Sequence, residues 1–192
     1  MRPWITFFSQ TGTEIYNLSN ALGVYPDCVV HNKHNNDGIN QKLIELTTFR
    51  ATKLNMMHCW QHIPPKPDIT DYENVLSRYD NPIITLHGYL RIIPREICEK
   101  YEIYNLHPGL ITKYPILKGF NPQERAFTGG YKDAGCVIHR VTPGVDEGEI
   151  VASGEINIEN LTLAQVYTEL HDCAFNVWKN FLTEYNIIQS ES

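Results

Sequence analysis

Asn105 and His107 stand two residues apart at the end of an apolar run, and Pro108-Gly109 follow them directly. Strand spacing puts both side chains on the same side of a sheet, and a Pro-Gly pair turns the chain away. A neutral amide donor and a titratable imidazole then lie side by side at a strand end. Such an amide can hydrogen-bond a carbonyl oxygen and stabilise an oxyanion. The imidazole can donate to that oxygen or shuttle a proton. Asp146 comes later, in TPGVDEGE, flanked by Gly144 and Gly148. If it reaches His107, it can orient the ring or its water. No serine or cysteine nucleophile stands out beside them, so direct attack by a bound amine fits better than an acyl-enzyme. The residues alone leave a second reading open. A histidine at a strand end is more often structural than catalytic, and an aspartate in a glycine-rich loop can simply cap a turn.

For these residues to meet, the elements that carry them must end at one place. In an open α/β sheet, ligands bind beyond the carboxyl ends of the strands. Trp4–Phe8 reads as a first strand, followed by SQTG and a helix with Ile15, Leu18 and Leu22 on one face and Gly23 as its C-cap. Asp27–Val30 reads as a second strand, 31–40 as a polar loop, 40–50 as a helix and Lys53–His58 as a short strand. The stretch 63–70 is a rigid connector and Asp71–Tyr79 a helix. IITLHGYL, after Asn81-Pro82, is the best buried strand. Pro94 suits the first position of the helix PREICEKYE, and Ile103–Leu106 is the next strand. Alternating strands and helices predict an α/β fold with a mixed, mostly parallel sheet and helices on both faces. CVIHRV and EIVASGEINI have no helix between them and predict an antiparallel extension. Leu163, Val166, Tyr167, Leu170, Ala174, Val177, Trp178, Phe181 and Leu182 recur at helical steps and predict a long amphipathic helix on the sheet.

The 192 residues suffice for one sizeable core, and 42% hydrophobic with 20% charged residues is ordinary for a globular protein. A net charge of −6 argues against nucleic acid as the main ligand, because phosphate backbones want a basic surface. No apolar run is long enough for a membrane span. Five scattered cysteines without a C-x-x-C pair suit reduced thiols in a cytoplasm. Cys59 and His62 have ligand-like spacing, but no second pair completes a metal site.

HGYLRIIP, NLHPGLITKYP and GCVIHRVTPGVDEGEIV, in this order and spacing, resemble the folate-dependent formyltransferases. The similarity is strongest over residues 82–158 and extends across 1–192, read as one catalytic domain of Rossmann-like type. The resemblance implies formyl transfer from 10-formyltetrahydrofolate to a small-molecule primary amine, without a metal. Asn105 and His107 would hold the formyl oxygen, and Asp146 would work with His107 on proton movement. Leu90, Arg91, Ile92 and Ile93 fall where the family binds the pteridine ring, and Val141, Thr142 and Val145 belong to the opposite wall. His139 matches a histidine near the family's site; its other reading is packing alone. Pro108 and Gly109 would border the substrate. A homodimer is compatible with the family.

The acceptor side departs from the pattern. Members that formylate glycinamide ribonucleotide, a step of purine synthesis, are closest in size and carry a glycine-rich phosphate loop of the form S-G-x-G-S-N. The equivalent here is Ser9-Gln10-Thr11-Gly12-Thr13-Glu14. Gly12, Thr11 and Thr13 remain suited to an anion, whereas Glu14 would repel one, or would simply face solvent in the first helical turn. In the last helix the family sets a glutamate just before a histidine. Leu170 precedes His171 here, with Glu169 one step earlier and about 100° around the helix. Glycinamide ribonucleotide is thus the first expectation for the acceptor and an amino-sugar nucleotide or another modified amine the second. A formyltetrahydrofolate hydrolase and a non-catalytic folate-binding protein are the other classes.

Overall fold

The computed structural model describes residues 2–53 and 59–185. Nine elements alternate as expected: β1 (Trp4–Phe8), α1 (Thr13–Leu22), β2 (Cys28–His31), α2 (Gln41–Lys53), β3 (Trp60–His62), α3 (Ile69–Leu76), β4 (Ile83–Leu86), α4 (Arg95–Lys100) and β5 (Glu102–His107). After a 3₁₀ turn at Pro115–Leu117 come α5 (Pro122–Thr128), β6 (Asp133–Arg140), β7 (Ile150–Asn157) and α6 (Leu163–Glu184). The strands form one seven-stranded sheet in the order β3-β2-β1-β4-β5-β6-β7. β1 to β5 are mutually parallel, while β6 adds antiparallel to β5 and β7 antiparallel to β6. The mixed, mostly parallel sheet with helices on both faces is therefore present.

Side-chain alternation assigns the two faces. Ile5 and Phe7 pack with Val30, Ile84 and Ile103 against Tyr72, Val75 and Leu76 of α3 and Ile97 of α4. Trp4 points the other way, with Ile83, Tyr104 and Ile138, into Leu18 of α1 and Trp178, Phe181 and Leu182 of α6. Phe8 and Val29 meet Ile15 and Leu43 of α1 and α2 on that same side. Central parallel strands covered on both faces must be apolar at every position, which is why WITFF is buried throughout. Gly23 closes α1 in the left-handed conformation at φ 65°, and Thr162 with Gln165 forms a capping box that starts α6.

Four expectations need correction. Lys53 is the last residue of α2, residues 54–58 lie outside the described residues, and the third strand is Trp60–His62. Pro94 is the N-cap of α4, with extended backbone at ψ 146°, and its carbonyl accepts from Ile97 and Cys98. The strand in IITLHGYL stops at Leu86, since Gly88 adopts φ 63° and turns the chain. Tyr167 is 44% exposed, because Val166 and Leu170 take the buried face of α6.

Candidate active site

The parallel strands all end on the same edge of the sheet, and the polar residues of interest collect there. Asn105 and His107 lie at the end of β5, where Leu86 pairs with Asn105 on one side and His139 pairs with Asn105 on the other. The β6–β7 register shifts between Ile138 and His139. Such a bulge re-aims a side chain, and here it falls on the residue opposite Asn105.

Asp146 arrives from the β6–β7 loop with left-handed backbone, φ 52°, a region that aspartate tolerates better than most residues. The loop is pinned by Gly148. A Cβ there would lie 1.7 Å from the Arg140 carbonyl oxygen, beside the hydrogen bond from Arg140 N–H to Glu149 C=O. This closure carries Asp146 back over the sheet edge.

The result is one carboxylate between two imidazoles. His107 Nδ1 is 3.2 Å from Asp146 Oδ2, and His139 Nε2 is 3.3 Å from Asp146 Oδ1. Both rings are almost fully buried, and the Asp146 side chain is 11% exposed. Each ring uses its other nitrogen to donate to a backbone carbonyl: His107 Nε2–H to Leu117, at 2.9 Å, and His139 Nδ1–H to Arg140, at 3.0 Å. A carbonyl oxygen only accepts, so those nitrogens carry protons and the rings' orientation is fixed; His107 Nδ1 and His139 Nε2 can donate to Asp146 only from rings that carry a second proton. Gly119 N–H also donates to Asp146 Oδ2. Hydrogen bonding to His107, then to His139, holds the Asp146 carboxyl well below the usual carboxylate range despite its desolvation.

Beside this trio lies a cleft of about 140 Å³. Leu86, Tyr89, Ile92, Ile93, Val141 and Val145 supply apolar surface, and Arg91, Asn105, His139, Thr142 and Asp146 are its polar members. Ile92 and Val145 are 80% and 65% exposed, an apolar rim of the kind that marks a ligand site. The Asn105 amide has no hydrogen-bond partner among the described residues, so it is available to a ligand oxygen. Among the described residues no group of three metal-ligating side chains stands close enough to hold an ion, and no helix is long and apolar enough to cross a membrane.

The structure brings Asn105, Asp146 and His139 together on the cleft wall, with Arg91, Ile92, Ile93, Val141, Thr142 and Val145 around them. His107 sits behind Asp146, both ring nitrogens engaged. Gly109 is required for that seat: a Cβ there would come within 2.7 Å of His107 Nε2 and 2.8 Å of Pro122 Cβ. Pro108 is half-buried beside it. Leu90 is exposed, and its N–H donates to the Ser9 hydroxyl, linking the β1 and β4 loops. A second cleft, of about 230 Å³, contains Thr11, Gly12, Thr13 and Glu14, together with Gln10, His87, Gly88 and His171. Glu169 is exposed on α6 and does not line it. His87 and His171 had no assigned role in the sequence. His87 was hidden inside the apolar run of β4, and its partner Glu14 is 73 positions away.

A family model described as formyl transferase matches residues 18–180. Phosphoribosylglycinamide formyltransferase of Bacillus subtilis is 34% identical over 99 residues, 50% of this chain and 49% of that protein. Methionyl-tRNA formyltransferase of Orientia tsutsugamushi is 30% identical over 117 residues, 59% of this chain and 36% of that protein. The matched stretch thus spans about half, or less, of these relatives' length. In fold, the chain is similar to the crystal structure of phosphoribosylglycinamide formyltransferase from Anaplasma phagocytophilum, with a TM-score of 0.75 at 24% identity over 95% of this chain and 86% of that one. The chain belongs to the formyl transferase family.

Proposed function

We propose that this member of the formyl transferase family moves a formyl group from 10-formyltetrahydrofolate to a small-molecule primary amine. The observation that carries the reading is the Asp146 carboxylate held between His107 and His139, with the free Asn105 amide on the same cleft wall. The folate ring would lie between Arg91, Ile92 and Ile93 on one side and Val141, Thr142 and Val145 on the other. Attack of the amine nitrogen on the formyl carbon builds negative charge on the formyl oxygen, and the Asn105 N–H groups are the donors at hand to receive it. The attacking nitrogen must then shed a proton, and the departing folate nitrogen must gain one. His139 and Asp146, 3.3 Å apart at the cleft wall, supply that path. His107 fixes Asp146 from behind. Val145 and Ile92, exposed at the rim, would be covered by a bound folate ring and would then limit water.

Glycinamide ribonucleotide is the acceptor that the names of the relatives point to, within purine synthesis. A modified amine such as an amino-sugar nucleotide is the second reading, favoured by Glu14 at the loop where a phosphate would sit.

The test is tetrahydrofolate release from 10-formyltetrahydrofolate with and without a panel of amines. Release that needs an amine is the expected result; equal release without one would make the protein a hydrolase. Asn105→Ala should lower turnover by about 100- to 1,000-fold, as loss of an oxyanion donor does, with folate affinity within a few-fold. Undiminished turnover would remove Asn105 from the reaction.

A further inference from the structure

The cleft at the ends of β1 and β4 is built around a carboxylate. Glu14 Oε2 lies 2.6 Å from His87 Nδ1. The His87 side chain is 1% exposed and packs on the Trp178 ring at 4.8 Å. Its Nε2 is 2.8 Å from Thr85 Oγ1, which also accepts from Trp4 Nε1 at 2.9 Å. Because the indole N–H donates to the threonine oxygen, the threonine proton is free to go to His87 Nε2, and His87 Nδ1–H then donates to Glu14. A buried chain from Trp4 through Thr85 and His87 therefore ends on one oxygen of Glu14. The other oxygen has no partner among the described residues, and the Glu14 side chain is 28% exposed to the cleft.

Part of the donor set at this loop is committed elsewhere. Thr13 N–H, the first amide of α1, is bonded to Thr11 Oγ1. Thr13 Oγ1 accepts from Asn40, whose own N–H is bonded to the Thr11 carbonyl. Gly12 makes no room for a ligand either: its Cβ position falls 2.6 Å from Leu43 Cδ2 and 3.2 Å from Phe8, so the glycine serves the protein's own packing and its φ of 71°. The positive end of α1 is already met by Glu14.

This cleft borders the reaction centre. His87 follows Leu86, which pairs with Asn105 on the neighbouring strand; Leu86 lines the first cleft and His87 the second, so the two clefts meet at the end of β4. An amine presented to Asn105 would extend its far end toward Glu14.

Resting on the formyl-transfer reading, we infer that this cleft selects an acceptor amine whose far end carries hydrogen-bond donors, hydroxyl or ammonium, and excludes one that carries a phosphate there. Glu14 is the selecting group and His87 the residue that positions it. A hydroxyl or ammonium donates to the free Glu14 oxygen; a phosphate brings only like charge and acceptors to that oxygen.

The experiment compares glycinamide ribonucleotide with glycinamide riboside, which differ by the phosphate alone, in the tetrahydrofolate-release assay on the full chain. The riboside should be preferred at least tenfold in kcat/KM. Glu14→Gln should bring the ratio close to one, and His87→Leu should reduce it through the acceptor KM while the donor KM stays unchanged. A preference for the ribonucleotide, or a ratio that Glu14→Gln leaves unaltered, overturns the inference. Titration of the full chain with sorbitol, putrescine or inorganic phosphate, read on the His87 and His171 imidazole resonances, decides the case independently of turnover. Saturation by sorbitol identifies a hydroxyl site and saturation by putrescine an ammonium site. Tighter saturation by phosphate, or no saturation by any of the three, refutes both. Failure of formyl transfer itself would be seen separately, as absence of folate binding and of release with every amine.

Discussion

Asp146→Asn is the most informative single change, because it preserves shape and removes one charge. The carboxylate meets His107 Nδ1 at 3.2 Å, His139 Nε2 at 3.3 Å and Gly119 N–H at 3.2 Å. With its amide oxygen in the Oδ2 position, asparagine keeps the Gly119 contact, and its NH₂ faces His139 Nε2, to which it can donate once that ring keeps only its Nδ1 proton. Folding should survive. What is lost is the charge assistance, about 1.5–3 kcal/mol for a hydrogen bond to a charged group against about 1 for a neutral one, together with the ability to take a proton. A loss of about 2.7 kcal/mol in the transition state is about 100-fold in rate, within the range of general acid–base catalysis. The assay is tetrahydrofolate release at saturating donor, with circular dichroism to confirm folding. Since its partners hold the Asp146 carboxyl well below the usual range, it is ionised throughout pH 5.5–9, and the deficit should already be complete at the acid end. The stabilisation it brings follows the same sign: it is present above the ordinary carboxylate value near 4 and fades as pH falls below that. Turnover within threefold of the wild type would reduce Asp146 to a turn residue and refute the mechanism.

Gly109→Ala should cost about 1–3 kcal/mol, the range for an overpacked site, because its Cβ collides with His107 Nε2 and Pro122; urea denaturation measures this, and an unchanged midpoint would contradict the seating of His107. His31, buried at 3% exposure, has its imidazole pushed down from 6.5 to about 4 by desolvation. The unfolded chain therefore binds the extra proton between those values, and wild-type stability should fall by on the order of 3 kcal/mol as pH drops from 7 to 4. His31→Leu should lose less stability over the same window by about that amount, and equal acid losses in the two proteins would refute the assignment.

The fold was largely legible because its elements follow simple physical patterns. β1 and β4 are apolar at nearly every position, as buried parallel strands must be. α6 repeats its buried residues at helical steps over six turns. β3 was misplaced because Trp60–His62 is a short, half-buried edge strand with no apolar run to announce it. α5 was unread because a seven-residue helix, Pro122–Thr128, leaves too few turns to establish a period. The exposure of Tyr167 has the same origin: three- and four-residue steps define a stripe only to within about one position.

The site divides along the same line. Asn105 and His107 were readable because strand spacing and the turn after them are local properties. His139 stands opposite Asn105 in the β5–β6 register, beside a bulge in the β6–β7 ladder, and neither the register nor the bulge has a signature in this stretch. Asp146 was readable as a residue but not as the centre of two imidazoles, since that depends on loop closure at Gly148 against Arg140. Glu14 is the extreme case. Alone at a helix start it has two equal explanations, solvent or substrate. Only the sheet order, which sets β1 beside β4, brings it to a buried His87 and separates them. A solvent-facing glutamate does not terminate a chain of Trp4, Thr85 and His87 inside the core. The cost of burying that polar chain is offset by its complete hydrogen bonding, and its one exposed end is the unshared Glu14 oxygen. The proposed folate side can therefore be read from motifs, whereas the proposed acceptor side is written in contacts between distant residues.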